Sequence, residues 1–175
     1  MSYVNELKYK IIPTTTFRIL RGCAGCGCKQ TFLCKGHFRV NANGNRLDVW
    51  LIYGCKKCGH TYNLPIYERI KADRIPREEY QAFLENDEKS VFRYGTDKSV
   101  FIKNRAEIDW DAVDYQVIPI VEAMPDPEKT PMWIELHNPS EIPIRTDKVV
   151  AGILQISRSK AARWIKEGVV SVNFS

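Results

Sequence analysis

The chain has 175 residues, 44% of them hydrophobic and 27% charged, which suits one compact domain or two small ones and excludes wholesale disorder. No apolar run nears the ~18 residues of a membrane span, and Met1-Ser-Tyr-Val-Asn-Glu6 lacks the basic-then-apolar order of a secretory signal, so a cytoplasmic protein with no membrane partner is expected. The net charge of +5 is uneven: residues 1–75 carry 13 Lys and Arg against 4 acids, residues 76–139 carry 7 against 14, and residues 140–175 carry 6 against 3. Two basic ends flank an acidic middle, a pattern that draws an anionic partner to the ends or packs the segments against one another.

Residues 8–75 read mainly as strand. Two runs meet at Asn43-Gly44, a strong hairpin signal. In the second run Val49, Leu51 and Tyr53 share one face and Asp48, Trp50 and Ile52 the other. Both faces are largely apolar, which predicts a central, covered strand. A further strand from His60 to Tyr67 holds Pro65, which places it at an edge.

Within this first segment lie two Cys-x-x-Cys-Gly knuckles, Cys23/Cys26 and Cys55/Cys58, separated by 28 residues. Each knuckle presents two thiolates to one ion, and the glycine after it permits the turn that aims backbone amides at the sulfurs. Four such ligands predict a closed, structural zinc site within a zinc-ribbon-like antiparallel sheet. Cys34 and His37 form a second ligand-type pair, so a local site of Cys23, Cys26, Cys34 and His37 is the alternative. Cys28 is read as a small side chain without a ligand role. Four cysteines leave no open coordination position for catalysis. The sequence also lacks a Gly-x-Ser-x-Gly, a phosphate-cradling glycine loop and a deaminase zinc motif, so no catalytic constellation is on view.

The acidic segment 76–139 opens at Pro76-Arg-Glu-Glu-Tyr as a helix start, with Tyr80, Phe83 and Leu84 as its apolar stripe and Gly95 as its stop. A shorter helix is predicted from Asp97 to Asn104, and strands at Tyr115–Val121 and Met132–Leu136. The prolines between Pro125 and Pro131 mark a linker or long loop.

Residues 140–175 read as helix, turn, helix, strand, with Ser157 as a cap and Gly168 as a stop. On the second helix Ala161, Trp164 and Ile165 fall on one side and Lys160, Arg163 and Lys166 on the other. The order Arg145-x-Asp147, an apolar helix, Ser157-Arg-Ser-x-Ala161, Ile165-x-x-Gly168 and Val170-x-Val-Asn173 resembles the alpha-L RNA-binding motif of the fourth small-subunit ribosomal protein. That resemblance implies two helices on a small sheet that present Arg145, Arg158, Lys160 and Arg163 to structured RNA, with Lys166 extending the face. The motif continues in its family through further strands. A strand from elsewhere in this chain would complete the module; otherwise it is a reduced one.

The longer segments Phe38-Arg-Val-Asn-Ala-Asn43, Leu47-Asp-Val-Trp-Leu-Ile-Tyr53, Ile75-Pro-Arg-Glu-Glu-Tyr80 and Asn104-Arg-Ala-Glu107, with both knuckles, resemble a bacterial family known as domain of unknown function 1062, over roughly residues 17–115. It implies no activity. The expectation is therefore an α+β protein with a zinc-ribbon-like β domain (1–75), an acidic helical and connecting segment (76–139) and an alpha-L-like module (140–175). Its expected function is non-catalytic binding of structured RNA, rRNA or tRNA. The alternatives are a protein-interaction adaptor and an RNA-modifying enzyme whose site the sequence does not display.

Overall fold

The computed structural model describes residues 5–121 and 131–175. The expected linker between Pro125 and Pro131 lies largely outside them. Compact units do not follow the boundaries at 75 and 139. One is Thr15–Asp114, and the other joins the chain up to Thr14 with Tyr115–Ser175. The acidic segment is accordingly divided, its helices and the short strand at Glu107–Ile108 going to the first unit and its later strands to the second. Mixed α and β structure is found in both.

The Thr15–Asp114 unit is built on a five-stranded antiparallel sheet. Its strands are β2 (Ile19–Cys23), β3 (Cys28–Asn43), β4 (Arg46–Cys55), β5 (Thr61–Lys71) and the two-residue β6 (Glu107–Ile108), in spatial order β5-β4-β3-β2-β6. The β3–β4 hairpin turns on Gly44 and Asn45, one residue later than expected, because Asn43 still pairs with Arg46. Gly44 takes the required positive φ of 59°, the conformation that costs glycine least. β4 is interior and β5 is the edge that Pro65 demands. Val49, Leu51, Ile52 and Tyr53 are all buried. A bulge at Lys35-Gly36-His37, between the pairs Cys34–Tyr53 and Phe38–Leu51, breaks the β3–β4 ladder and sharpens the local twist.

Three short helices cover the Leu51–Tyr53 side: α1 (Arg77–Glu85), α2 (Glu88–Gly95) and α3 (Lys98–Lys103). The single helix expected up to Gly95 is thus two. Asn86 takes a left-handed φ of 54° and its side chain accepts the Phe38 N–H at 2.7 Å, while Asp87 caps α2 by accepting the Ser90 N–H at 2.8 Å. A tolerant αL residue followed by a capping acid ends one helix and starts another. Of the expected stripe Phe83 is buried, but Leu84 is 50% exposed because the break changes the face that packs. Gly95 does end α2, and it is also small by necessity. A Cβ there would lie 2.5 Å from Thr16 Cγ2, beside the Phe17 N–H that donates to the Gly95 carbonyl at 2.7 Å. Phe17, Phe32, Tyr53, Phe83 and Phe101 fill the core, with ring centroids of Phe17 and Phe101 5.6 Å apart.

The other unit is a four-stranded mixed sheet of β1 (Asn5–Pro13), β7 (Tyr115–Pro119), β8 (Met132–His137) and β9 (Val170–Phe174), ordered β7-β1-β8-β9. β1 runs antiparallel to β7 and parallel to β8, and β9 is parallel to β8. Parallel neighbours need a crossover, and the helices α4 (Thr146–Leu154) and α5 (Arg158–Lys166) form it between β8 and β9. Leu7, Ile11, Met132, Ile134, Leu136 and Val170 of the sheet are buried, as are Val149, Val150, Leu154 and Ala161 of the helices. On the opposite side of the sheet Lys8 pairs with Glu135 at 3.0 Å and with Glu6 at 3.4 Å. No helix among the described residues is long and apolar enough to cross a membrane.

Candidate metal centre

Strand pairing alone brings the two knuckles together. Cys23 ends β2 and Cys28 opens β3, so the first knuckle is the tip of that hairpin; Cys55 ends β4 opposite Phe32, so the second is the tip of the β4–β5 connection. Antiparallel order puts both tips at one end of the sheet. The sulfurs of Cys23, Cys26, Cys55 and Cys58 all lie within 4.8 Å of one another, with Cys23–Cys58 at 3.4 Å and Cys26–Cys55 at 3.8 Å. Bonds of about 2.3 Å to a tetrahedral ion would set the sulfurs about 3.8 Å apart. The four thiols therefore form a set that can hold one metal ion.

The backbone of each knuckle is turned for this purpose. In the first, the N–H groups of Cys26 and Gly27 donate to the Cys23 carbonyl at 3.2 and 2.8 Å, and in the second Gly59 N–H donates to the Cys55 carbonyl at 2.9 Å. Gly27 and Gly59 both have positive φ, 71° and 76°, which explains the glycine after each pair. Although burial pushes the Cys55 thiol up, backbone N–H groups of Cys58 and Lys57 and the neighbouring thiols bring it down to about 6. Burial and the crowding of Cys58, Cys23 and Cys55 push Cys26 up to about 12.

The alternative ligands go elsewhere. Cys34 lies on β3 opposite Tyr53, where burial raises its thiol pKa. His37 is exposed in the bulge, its Nδ1 3.3 Å from the Lys35 carbonyl. Cys28 is exposed and accepts a 3.2 Å hydrogen bond from Gln30. Among the described residues no other His, Cys, Asp or Glu cluster gathers as the four cysteines do.

Two residues near the centre escaped the sequence reading. A Cβ on Gly25 would lie 2.9 Å from Cys58 Sγ, so this glycine inside the first knuckle is there for close approach. Gly25→Ala is expected to weaken metal binding roughly tenfold, the lower end for residues that orient ligands, in a chelator competition. Gly22→Ala, with nothing within 4 Å, should retain wild-type affinity; equal behaviour of the two variants would show that the contact does not matter. Arg21 was also missed. Its guanidinium lies 3.6 Å over the Tyr62 ring, a pairing across strands that no local pattern announces.

The basic residues expected in the last segment fall into two groups. Arg145 and Arg158 both reach Asp147, at 3.2 and 3.1 Å. Although burial works the other way, these guanidiniums hold the Asp147 carboxyl below its usual range. Lys160, Arg163 and Lys166 are exposed along α5, with Lys160 Nζ 4.7 Å from the Trp164 ring. Ser157 caps α5 as expected, accepting the Lys160 N–H at 3.2 Å, and Gly168 ends it with a φ of 74°.

A family described as "Protein of unknown function (DUF1062)" matches residues 40–175, through the second knuckle and both carboxy-terminal helices. The chain belongs to this family. The matched span corrects the expected 17–115 at both ends: it begins after the first knuckle and includes the whole α4–α5–β9 segment. No curated protein and no solved structure matches the chain.

Proposed function

We infer that this DUF1062 protein is a zinc-stabilised, non-catalytic binder of structured RNA. Zinc is the ion that suits four thiolates closing a tetrahedral shell, held by Cys23, Cys26, Cys55 and Cys58 at the tips of a zinc-ribbon-like sheet. A closed shell orders the hairpins and leaves no position for a reacting water.

The observation that carries the RNA reading is the exposed row Lys160, Arg163 and Lys166 on α5, opposite the fully buried Ala161. The helix must keep this face outward, because turning it inward would bury unpaired charge. The alpha-L-like reading gains support from topology. β9 is the edge strand beside β8, which pairs on its other side with β1, so a sheet for the two helices is assembled from earlier parts of the chain. Arg145 and Arg158 have a bracing role, since Asp147 ties the start of α4 to the start of α5.

The test is a titration of total tRNA at several salt concentrations. Wild type is expected to bind more weakly as salt rises, and a Lys160→Ala, Arg163→Ala, Lys166→Ala variant should lose about two to three units of that salt slope with an unchanged circular dichroism spectrum. Salt-independent or absent tRNA binding by wild type would overturn the reading and leave the adaptor in its place.

A further inference from the structure

The cysteine end of the sheet has a charge distribution that α5 does not explain. Between Glu6 and Glu68 the sequence holds a single acid, Asp48. Asp48 sits towards the β3–β4 hairpin, pairing with Asn41, and its carboxylate accepts the Arg69 N–H at 2.7 Å. The opposite, cysteine-bearing end carries Arg21, Lys29, Lys56 and Lys57. Lys29 is matched by Glu107 at 2.6 Å. Arg21, Lys56 and Lys57 make no ion pair among the described residues.

Their placement suits a phosphodiester chain. Arg21 shares a face of β2 with Cys23, two residues on. Its guanidinium lies 3.6 Å over Tyr62, the second residue of β5, and 5.9 Å from the Phe32 ring of β3. A guanidinium stacked on an aromatic face is held in place while its N–H edges stay available to oxygen acceptors. Lys56 and Lys57 are the exposed middle residues of the second knuckle, and the metal fixes the loop that carries them. A rigid cationic tip whose neighbouring Glu107 is already paired with Lys29 attracts a polyanion.

We propose that the metal-bound hairpin tips, through Arg21, Lys56 and Lys57, form an RNA phosphate-binding surface of their own, separate from α5. The inference rests on the reading of the protein as an RNA binder, but on none of the α5 residues. It commits to RNA rather than to an acidic protein, because stacked guanidinium and flexible ammonium groups together track a repeating phosphate backbone.

The experiment compares metal-loaded wild type, Arg21→Gln/Lys56→Gln/Lys57→Gln and the α5 triple-alanine variant in tRNA titrations across salt, with zinc measured in each. The tip variant is expected to keep one zinc per chain, to bind tRNA at least about tenfold more weakly at low salt and to lose about two units of salt slope. If removing Arg21 loosens the packing on Tyr62 and lowers zinc content, the Lys56→Gln/Lys57→Gln pair, confined to exposed side chains, should still lose more than one unit of slope. Wild-type tRNA binding by both tip variants would overturn this inference and leave the α5 reading standing. Loss in the tip variants with none in the α5 variant would do the reverse. Polyglutamate that displaces tRNA by binding the tips equally well would also overturn it, in favour of an acidic protein partner.

Discussion

Cys55→Ser is expected to strip the protein of metal and to lower the melting temperature of the Thr15–Asp114 unit by at least about 10 °C. Structural zinc contributes on the order of 10 kcal/mol to folding in small metal-bound domains, comparable to the whole stability of an ordinary domain. Here a bound metal would close only one end of the sheet, and a core around Phe17, Tyr53 and Phe101 lies under the helices. The loss is therefore smaller than complete unfolding, but several kcal/mol still correspond to tens of degrees in a domain of this size. Chelation of wild type should reproduce the effect, and so should acid, because protons displace the ion as the thiolates are titrated. Cys28→Ala and Cys34→Ala should each retain one zinc per chain. Zinc that persisted in Cys55→Ser but vanished on changing Cys34 or His37 would reject the four-cysteine assignment.

That assignment could be read from sequence because its geometry is local twice over. Each knuckle is a four-residue turn with its own glycine, and the hairpin signal at Gly44 then dictates that β3 and β4 fold back. Antiparallel return brings Cys55 opposite Phe32, four residues from Cys28, without help from any distant contact. The strand character of β4, the edge position of β5, the start of a short helix at Asp97 and the cap at Ser157 were legible for the same reason: each depends on a few neighbouring residues.

What failed to show was non-local. Nothing in Asn5–Pro13 says that it will lie between β7 and β8, more than a hundred residues away, so the boundary at 75 joined a strand to the wrong unit. The alternation of Leu7, Tyr9 and Ile11 marks a strand with one buried face, and such a pattern does not name its partner. The break at Asn86 was missed because helical periodicity runs through it, while the cause, the Phe38 N–H seeking an acceptor, belongs to another strand. Gly25 and Arg21 are of the same kind. Their roles exist only once the second hairpin tip has arrived.

Phe101→Ala is expected to destabilise the Thr15–Asp114 unit by about 3–5 kcal/mol, the range for removing a buried ring, while leaving one zinc per chain. The helix that carries Phe101 is six residues long, too short to persist on its own propensity. Asp97 caps it by accepting the Ser99 N–H at 2.9 Å, but a cap contributes only about 1 kcal/mol. Burial must supply the rest. Phe101 is fully buried, with its ring 5.6 Å from Phe17 and 6.3 Å from Tyr53. Losing that anchor also loosens what α3 positions. Asn104 Nδ2 donates to the Pro65 carbonyl at 2.7 Å on the edge strand β5, and β6 follows three residues later to pair Ile108 with Ile19. Hydrogen exchange should accordingly accelerate first in α3 and β6, and less at the cysteine end, where a bound metal would hold the tips. Ile102→Ala is the control: its side chain is 65% exposed on the same helix, and its change should stay within about 0.5 kcal/mol. Urea denaturation of the two variants decides the matter, since equal midpoints would mean that α3 is held by something other than the Phe17–Phe101–Tyr53 cluster.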